Sequence, residues 1–147
     1  MSDNKSGNPQ IDPESSEIKE ILSSMKKIAI IGISPKKERD SNKVATYLLN
    51  KGYEIIPVNP GQREILGREC FKTLTDIPCG IDIVNLFLNP MRVPPVVNQA
   101  IDIGAQVIWM QLGVINDDAA EKARAAGIRV IMDKCIKIEH SRIFNLV

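Results

Sequence analysis

Aromatic side chains are scarce in this chain, at 4% of 147 residues, and neither sign of charge dominates: 19 Lys and Arg stand against 18 Asp and Glu. Few stacking rings and no basic excess remove the usual means of holding nucleic acid. A nearly neutral chain also has no long-range pull toward an anionic membrane. The three cysteines (Cys70, Cys79 and Cys135) form no CxxC pair, and His140 is the single histidine. That excludes a disulfide framework and a structural zinc site, and makes a reducing cytoplasm the natural setting. No apolar run is long enough to span a membrane. Residues 1–10 lack the apolar stretch of a signal peptide. Residues 1–12 therefore read as a disordered N-terminal tail, and 13–147 as one domain.

What is present is a regular alternation of short apolar runs and helical patterns. Asp12 followed by Pro13 is a helix start, and Ile18, Ile21, Leu22 and Met25 recur at helical spacing. This predicts a helix over 13–25, lying against a sheet or its edge. Apolar runs at 28–31, 53–58, 81–88, 107–110 and 130–132 read as strands. Asp82 and Asn85 are the only polar members of the third run. Helical stripes separate most of these strands: one begins at Ser41 as its N-cap and stops at Gly52, one runs from Val93 to Gly104, and one is capped by Asn116 and closed by Gly127. A short helical turn is expected at 73–77, and a helix or an extended tail at 133–147. Continuous Ile and Val runs mark strands buried on both faces. The expected fold is α/β: a doubly wound, five-stranded parallel, Rossmann-like sheet of order 3-2-1-4-5, with an extra N-terminal helix.

In such sheets ligands lie beyond the carboxyl ends of the strands, where the strand order reverses. The loops after Ile31, Val58, Leu88 and Gln111 should meet there. The first is the most informative, because Gly32 and Ser34 are followed by Lys36, Lys37, Arg39 and Lys43, against Glu38 and Asp40. A strand, a loop and a helix N-terminus in succession present free N–H groups and a positive dipole end to a phosphate. Lys43, in the first turn, would be unfavourable beside that dipole without an anion to compensate. The dinucleotide fingerprint is absent: glycines would be needed at 34 and 37, where Ser34 and Lys37 stand, and no acid follows Val58. Val58-Asn59-Pro60-Gly61 ends the second strand as a turn. Asn89-Pro90-Met91-Arg92 leads from the third strand into a helix, and Phe87 and Leu88 could pack either on a purine or in the core. Gly113 would admit close backbone approach after the fourth strand.

Four segments in this order, Ala29-Ile30-Ile31-Gly32-Ile33-Ser34, Gly52-Tyr53-Glu54-Ile55-Ile56-Pro57-Val58-Asn59-Pro60, Trp109-Met110-Gln111-Leu112-Gly113 and Met132-Asp133-Lys134-Cys135, resemble the small stand-alone CoA-binding domain family. That family is similar in fold to the CoA-binding domain of the succinyl-CoA synthetase alpha subunit. The resemblance implies a Rossmann-like domain that takes coenzyme A with its diphosphate over the first loop. Carried over by position, Gly32, Ile33, Ser34 and Lys43 would lie at the phosphates. Val58, Asn59, Pro60, Phe87 and Asn89 would border the adenosine, with Arg92 and Gly113 as further contacts and Arg63 as an alternative partner for a ribose phosphate.

No catalytic set stands out. His140 lies in the tail, away from the strand-end loops, and reads as a surface or packing residue. Ligases of this fold use a phosphorylated histidine in a second domain that this chain does not show. Cys135 reads as a buried structural thiol, with mixed-disulfide chemistry toward a CoA thiol as the other reading. The leading expectation is a non-catalytic carrier, sensor or redox guard of CoA or an acyl-CoA. An NAD(P)-dependent oxidoreductase, another nucleotide-binding enzyme, and a CoA-site subunit paired with a ligase chain are the alternatives. A homo-oligomer is also open.

Overall fold

A computed structural model describes residues 12–144. The predicted tail at 1–12 therefore falls, apart from Asp12, outside the described residues. The first helix, α1 (Pro13–Ser24), starts where the Asp12 carboxylate accepts a hydrogen bond from the Ser15 N–H at 2.7 Å, with Pro13 in its first turn. Ile18, Ile21 and Leu22 fall on one face and are buried, as their spacing requires.

The main sheet holds β1 (Lys27–Ile31), β2 (Glu54–Val58), β5 (Ile83–Leu86), β6 (Val107–Met110) and β7 (Arg129–Ile131), all parallel. Helices α2 (Asp40–Asn50), α3 (Val93–Ile103) and α4 (Asp117–Ala125) connect its strands, and α5 (Ile136–Phe144) closes the chain. A hairpin of β3 (Glu64–Ile65) and β4 (Arg68–Glu69) was not anticipated. It lies between β2 and a 3-10 turn at Leu74–Asp76, inside the predicted 73–77 turn. The third predicted strand is shorter than the apolar run that announced it, 83–86 against 81–88.

The doubly wound parallel architecture is as expected, and one assignment within it changes. The sheet order is β2-β1-β5-β6-β7, so the strand at Ile83–Leu86 pairs with β1 on the side away from β2. Outside β2, among the described residues, sits only a one-residue parallel bridge from Phe71 to Val58. Counting Phe71 as the third position gives 3-2-1-4-5-6, which contains the expected 3-2-1-4-5 pattern. The reason is local: 61–80 holds three glycines, a proline and a tight hairpin, too little apolar run to make a strand.

Strand alternation splits the core in two. Ile28, Ile30, Ile83, Val107 and Trp109 face the layer of α1, α2 and α5. Ala29, Ile31, Val84, Ile108 and Met110 face α3 and α4, whose Val97, Ala100, Ala120 and Ala123 are fully buried. The 133–147 segment resolves into the helical alternative, with Ile136 and Ile143 in the first core.

Candidate functional site

Strand order reverses between β1 and β5, and the chain there is held very close. Gly32 has φ +84°, and a Cβ on it would lie 2.2 Å from the carbonyl oxygen of Phe87. Only glycine fits, by conformation and by space. Its N–H donates to the Val58 carbonyl at 3.0 Å, while the Phe87 N–H donates to the Ile31 carbonyl at 2.9 Å. Both neighbouring strands thus pin the end of β1.

The loop beyond is tied down by side chains. The Ser34 N–H donates to Ser41 Oγ at 2.9 Å, and Asn42 Nδ2 donates to the Ser34 carbonyl at 2.9 Å. Ser34 Oγ accepts from the Lys36 N–H at 3.1 Å, which leaves its own proton free to donate outward. The helix cap therefore differs from the expected one. Helix α2 begins at Asp40 with Arg39 as N-cap and no side-chain cap bond. Ser41 is turned back to hold the loop instead of the helix end.

Two cavities open along this edge, and both are lined by Gly32 and Leu88. The larger, about 660 Å³, lies between the ends of β1 and β2 and the start of α3. Ile31, Val58, Pro60, Leu74 and Val96 give it an apolar wall, and Lys72 and Arg92 are its only charged residues. The smaller, about 360 Å³, is bordered by Ser34, Arg39, Asp40, Ser41, Phe87, Gln111 and Leu112. Of the loops expected to converge, those after Ile31, Val58, Leu88 and Gln111 all border one cavity or the other.

The predicted site residues separate by what their atoms already do. Gly32, Val58, Asn59, Pro60 and Arg92 line the larger cavity; Gly32, Ser34 and Phe87 line the smaller. Ile33 is fully buried in the core, so only its backbone faces the loop. Asn59 is a strut: Nδ2 donates to the Ile33 carbonyl at 2.8 Å and Oδ1 accepts from the Gly61 N–H at 2.8 Å. Asn89 Oδ1 accepts from the Met91 N–H at 2.9 Å, and Asn89 borders neither cavity. Gly113 has φ +85°, yet its N–H is spent on Asp133 Oδ1 at 2.7 Å. Lys43 is exposed and borders neither cavity, because Ser41, Val44, Ala45 and Leu48 take the inner face of α2 and turn it outward.

Sequence reasoning missed Lys72, Thr73 and Leu74. The signal lay in Phe71: since it pairs parallel to Val58, the residues after it emerge at the same sheet edge as Asn59. Beneath the smaller cavity, Gln111 Oε1 accepts from buried Asn85 Nδ2 at 3.2 Å and from the Ile136 N–H at 3.0 Å, joining two strands to the start of α5.

The remaining titratable candidates serve packing. His140 is buried, and its Nδ1 lies 2.8 Å from the Tyr47 hydroxyl. Burial, then the Lys51 and Lys26 ammoniums, hold its imidazole below the ordinary value. Burial pushes the Cys70 thiol up, away from the reactive thiolate. Cys135 packs half-buried against the first core. Among the described residues no cluster of His, Cys, Asp or Glu forms a ligand set for a metal, and no helix is long and apolar enough to cross a membrane.

A parallel sheet with its crevice at the strand-order reversal defines the Rossmann-like class of α/β domain, which takes ligands at that edge. The sequence profile of the CoA binding domain matches residues 26–141. This chain belongs to that family. It is 41% identical to the Bacillus subtilis protein YneT over 129 residues, 88% of this chain and 96% of that one. The structure of a hypothetical protein from Pyrococcus horikoshii OT3 superposes with a TM-score of 0.86 at 45% identity, covering 88% of this chain and 91% of that one. An ADP-forming acetate–CoA ligase of Archaeoglobus fulgidus is 24% identical over 128 residues, 80% of this chain but only 19% of the ligase.

Proposed function

We propose that this protein binds coenzyme A across the carboxyl edge of its sheet. The adenosine lies in the larger cavity against Leu74, Leu88 and Val96. The diphosphate crosses at Gly32, beside the Ser34 hydroxyl and the opening amides of α2. The pantetheine arm runs through the smaller cavity past Phe87 and Leu112. The observation that carries this reading is that Gly32 lines both cavities, at the one point where the sheet reverses direction. A helix N-terminus there supplies positive potential without needing a lysine. Asn59 acts by holding the two loops in register. Lys43 adds charge from the solvent side.

The role is binding without catalysis: a carrier, sensor or guard of CoA. The crevice presents no buried acid–base pair, and the Cys70 thiol is held protonated. Three free cysteines suit a reducing compartment such as the cytoplasm. Calorimetry with CoA, NAD and NADP tests the ligand. CoA binding more tightly than either nicotinamide cofactor is expected, and an equal or reversed order would remove the reading. A second reading, a CoA site serving a separate ligase chain, is favoured by the ligase that carries a matching segment as 19% of its length. Copurification with an ATP-grasp chain would establish it.

A further inference from the structure

One cavity, of about 660 Å³, has a charged lining all of one sign, and four others mix the signs. The cavity at the far side of Gly32 sets Arg39 beside Asp40. The groove along α1 and β7 sets Arg124 and Arg129 beside Glu14 and Glu17. The groove at the amino edge of the sheet sets Lys26 and Lys27 beside Glu54 and Asp82. A small polar recess between α1 and α5 sets Lys134 and Arg142 beside Glu139. The lining of the 660 Å³ cavity has two cations, Lys72 and Arg92, and no acid. Neither cation has a carboxylate within ion-pair distance among the described residues.

The two stand on different elements. Lys72 follows the Phe71 bridge on the β2 side, and Arg92 is the N-cap of α3 on the β5 side. Backbone groups cannot substitute for them at this end. Helix α3 opens Val93-Pro94-Pro95, so two of its four end amides are missing, and the Val93 N–H is already bonded to the Pro90 carbonyl. Helix α2, at the diphosphate, is the opposite case: Asp40 and Ser41 keep their N–H groups in the first turn. Amides therefore serve one end of the edge and side-chain cations the other.

We infer that Lys72 and Arg92 form a phosphomonoester subsite, which reads the phosphate on the ribose of CoA and makes the protein selective for CoA over its 3′-dephospho form. This rests on the placement of adenosine proposed above. A terminal phosphomonoester carries close to two charges at neutral pH on three acceptor oxygens. A lysine ammonium and a planar guanidinium fork on two walls of one cavity match it better than a row of amides. The apolar wall between them takes the purine.

Calorimetry with CoA and 3′-dephospho-CoA, on the parent chain and on Lys72→Ala and Arg92→Ala, tests the assignment. The parent should prefer CoA by about tenfold or more, the effect of one to two charge-assisted hydrogen bonds. Each variant should lose most of that preference while holding dephospho-CoA as the parent does, and the preference should shrink with added salt. Equal affinity of the parent for both ligands overturns this inference and leaves CoA binding standing. Equal weakening of both ligands by the variants also overturns it, by placing the cations on the diphosphate. Failure of the parent to bind either ligand removes the site itself.

Discussion

The α1–α5 side of the molecule and the carboxyl edge of its sheet treat polar groups in opposite ways. On the first, donors and acceptors are mostly matched within the protein, with buried Asn85 Oδ1 the exception among the described residues. Arg142 Nη2 reaches Ser15 Oγ at 2.8 Å and Glu139 Oε1 at 2.7 Å. Tyr53 donates to the Leu22 carbonyl at 2.6 Å, and Trp109 Nε1 to the Lys134 carbonyl at 2.8 Å. On the second, Lys72 and Arg92 face a cavity without acids, and Ser34 keeps a proton to give. Groups that hold a fold together are satisfied by one another, because an unpaired buried partner costs about 1–3 kcal/mol. Groups that receive a ligand stay near water, where waiting costs little.

The sharpest way to break this contrast is on the matched side. Trp109→Ala empties a fully buried site and strands the Lys134 carbonyl. It should destabilise the protein by about 3–5 kcal/mol in urea unfolding, while the CoA affinity of the folded molecule stays that of the parent. Loss of affinity without loss of stability would show that the two regions are not separable.

Gly32→Ala should do both kinds of damage. A left-handed non-glycine residue costs about 1–2 kcal/mol, and the new Cβ meets a backbone oxygen that cannot swing aside. Unfolding should shift by at least that amount, and CoA binding should fall below detection. Parent-like calorimetry would refute the close crossing of the ligand at this residue.

Asn116→Ala tests a junction of the two regions. Asn116 caps α4 through the Ala119 N–H at 3.0 Å, and its Nδ2 donates to the Pro90 carbonyl at 3.0 Å, beside the turn that carries Arg92. A loss of about 1 kcal/mol in stability is expected, with weaker CoA binding through a loosened Pro90 turn. Unaltered denaturation would mean the cap bond contributes nothing.

The matched side should also register acid, as a slope rather than a step. His140 has a folded pKa depressed below its ordinary 6.5. The unfolded chain therefore takes up this proton first as pH falls. The stability tied to the neutral ring is whole above 6.5 and declines below it. His140→Gln should flatten that part of the profile in denaturation at pH 7, 6 and 5; an identical slope in the variant would clear His140 of the effect. Smallest of all should be Lys43→Ala, which removes an exposed charge outside both cavities and should change CoA affinity by less than about 0.5 kcal/mol. A tenfold loss would return Lys43 to the phosphates.

Much of this was legible in advance, and the misses share a cause. Periodicity gave α1, α3 and α4 nearly to their ends, since each buries one stripe against the sheet. The Gly32 loop stood out because strand, glycine and helix start are neighbours in the chain. Ser41 looked like a cap because caps are read from sequence neighbours alone, whereas its hydroxyl found a partner seven residues back in Ser34. Asn59 and Gly113, expected as ligand contacts, also hold the fold through bonds to Ile33, Gly61 and Asp133, which no local pattern announces.

The amino-acid order alone determined the element types, the parallel α/β class and the glycine at the turn, for each follows from interactions spanning a few residues. Only the folded chain decided that Ile83–Leu86 pairs with β1, that Phe71 stands in for the missing edge strand, and that Lys72 shares a cavity with Arg92. Those outcomes depend on which apolar faces cover one another across long stretches of sequence, and no local pattern encodes that choice.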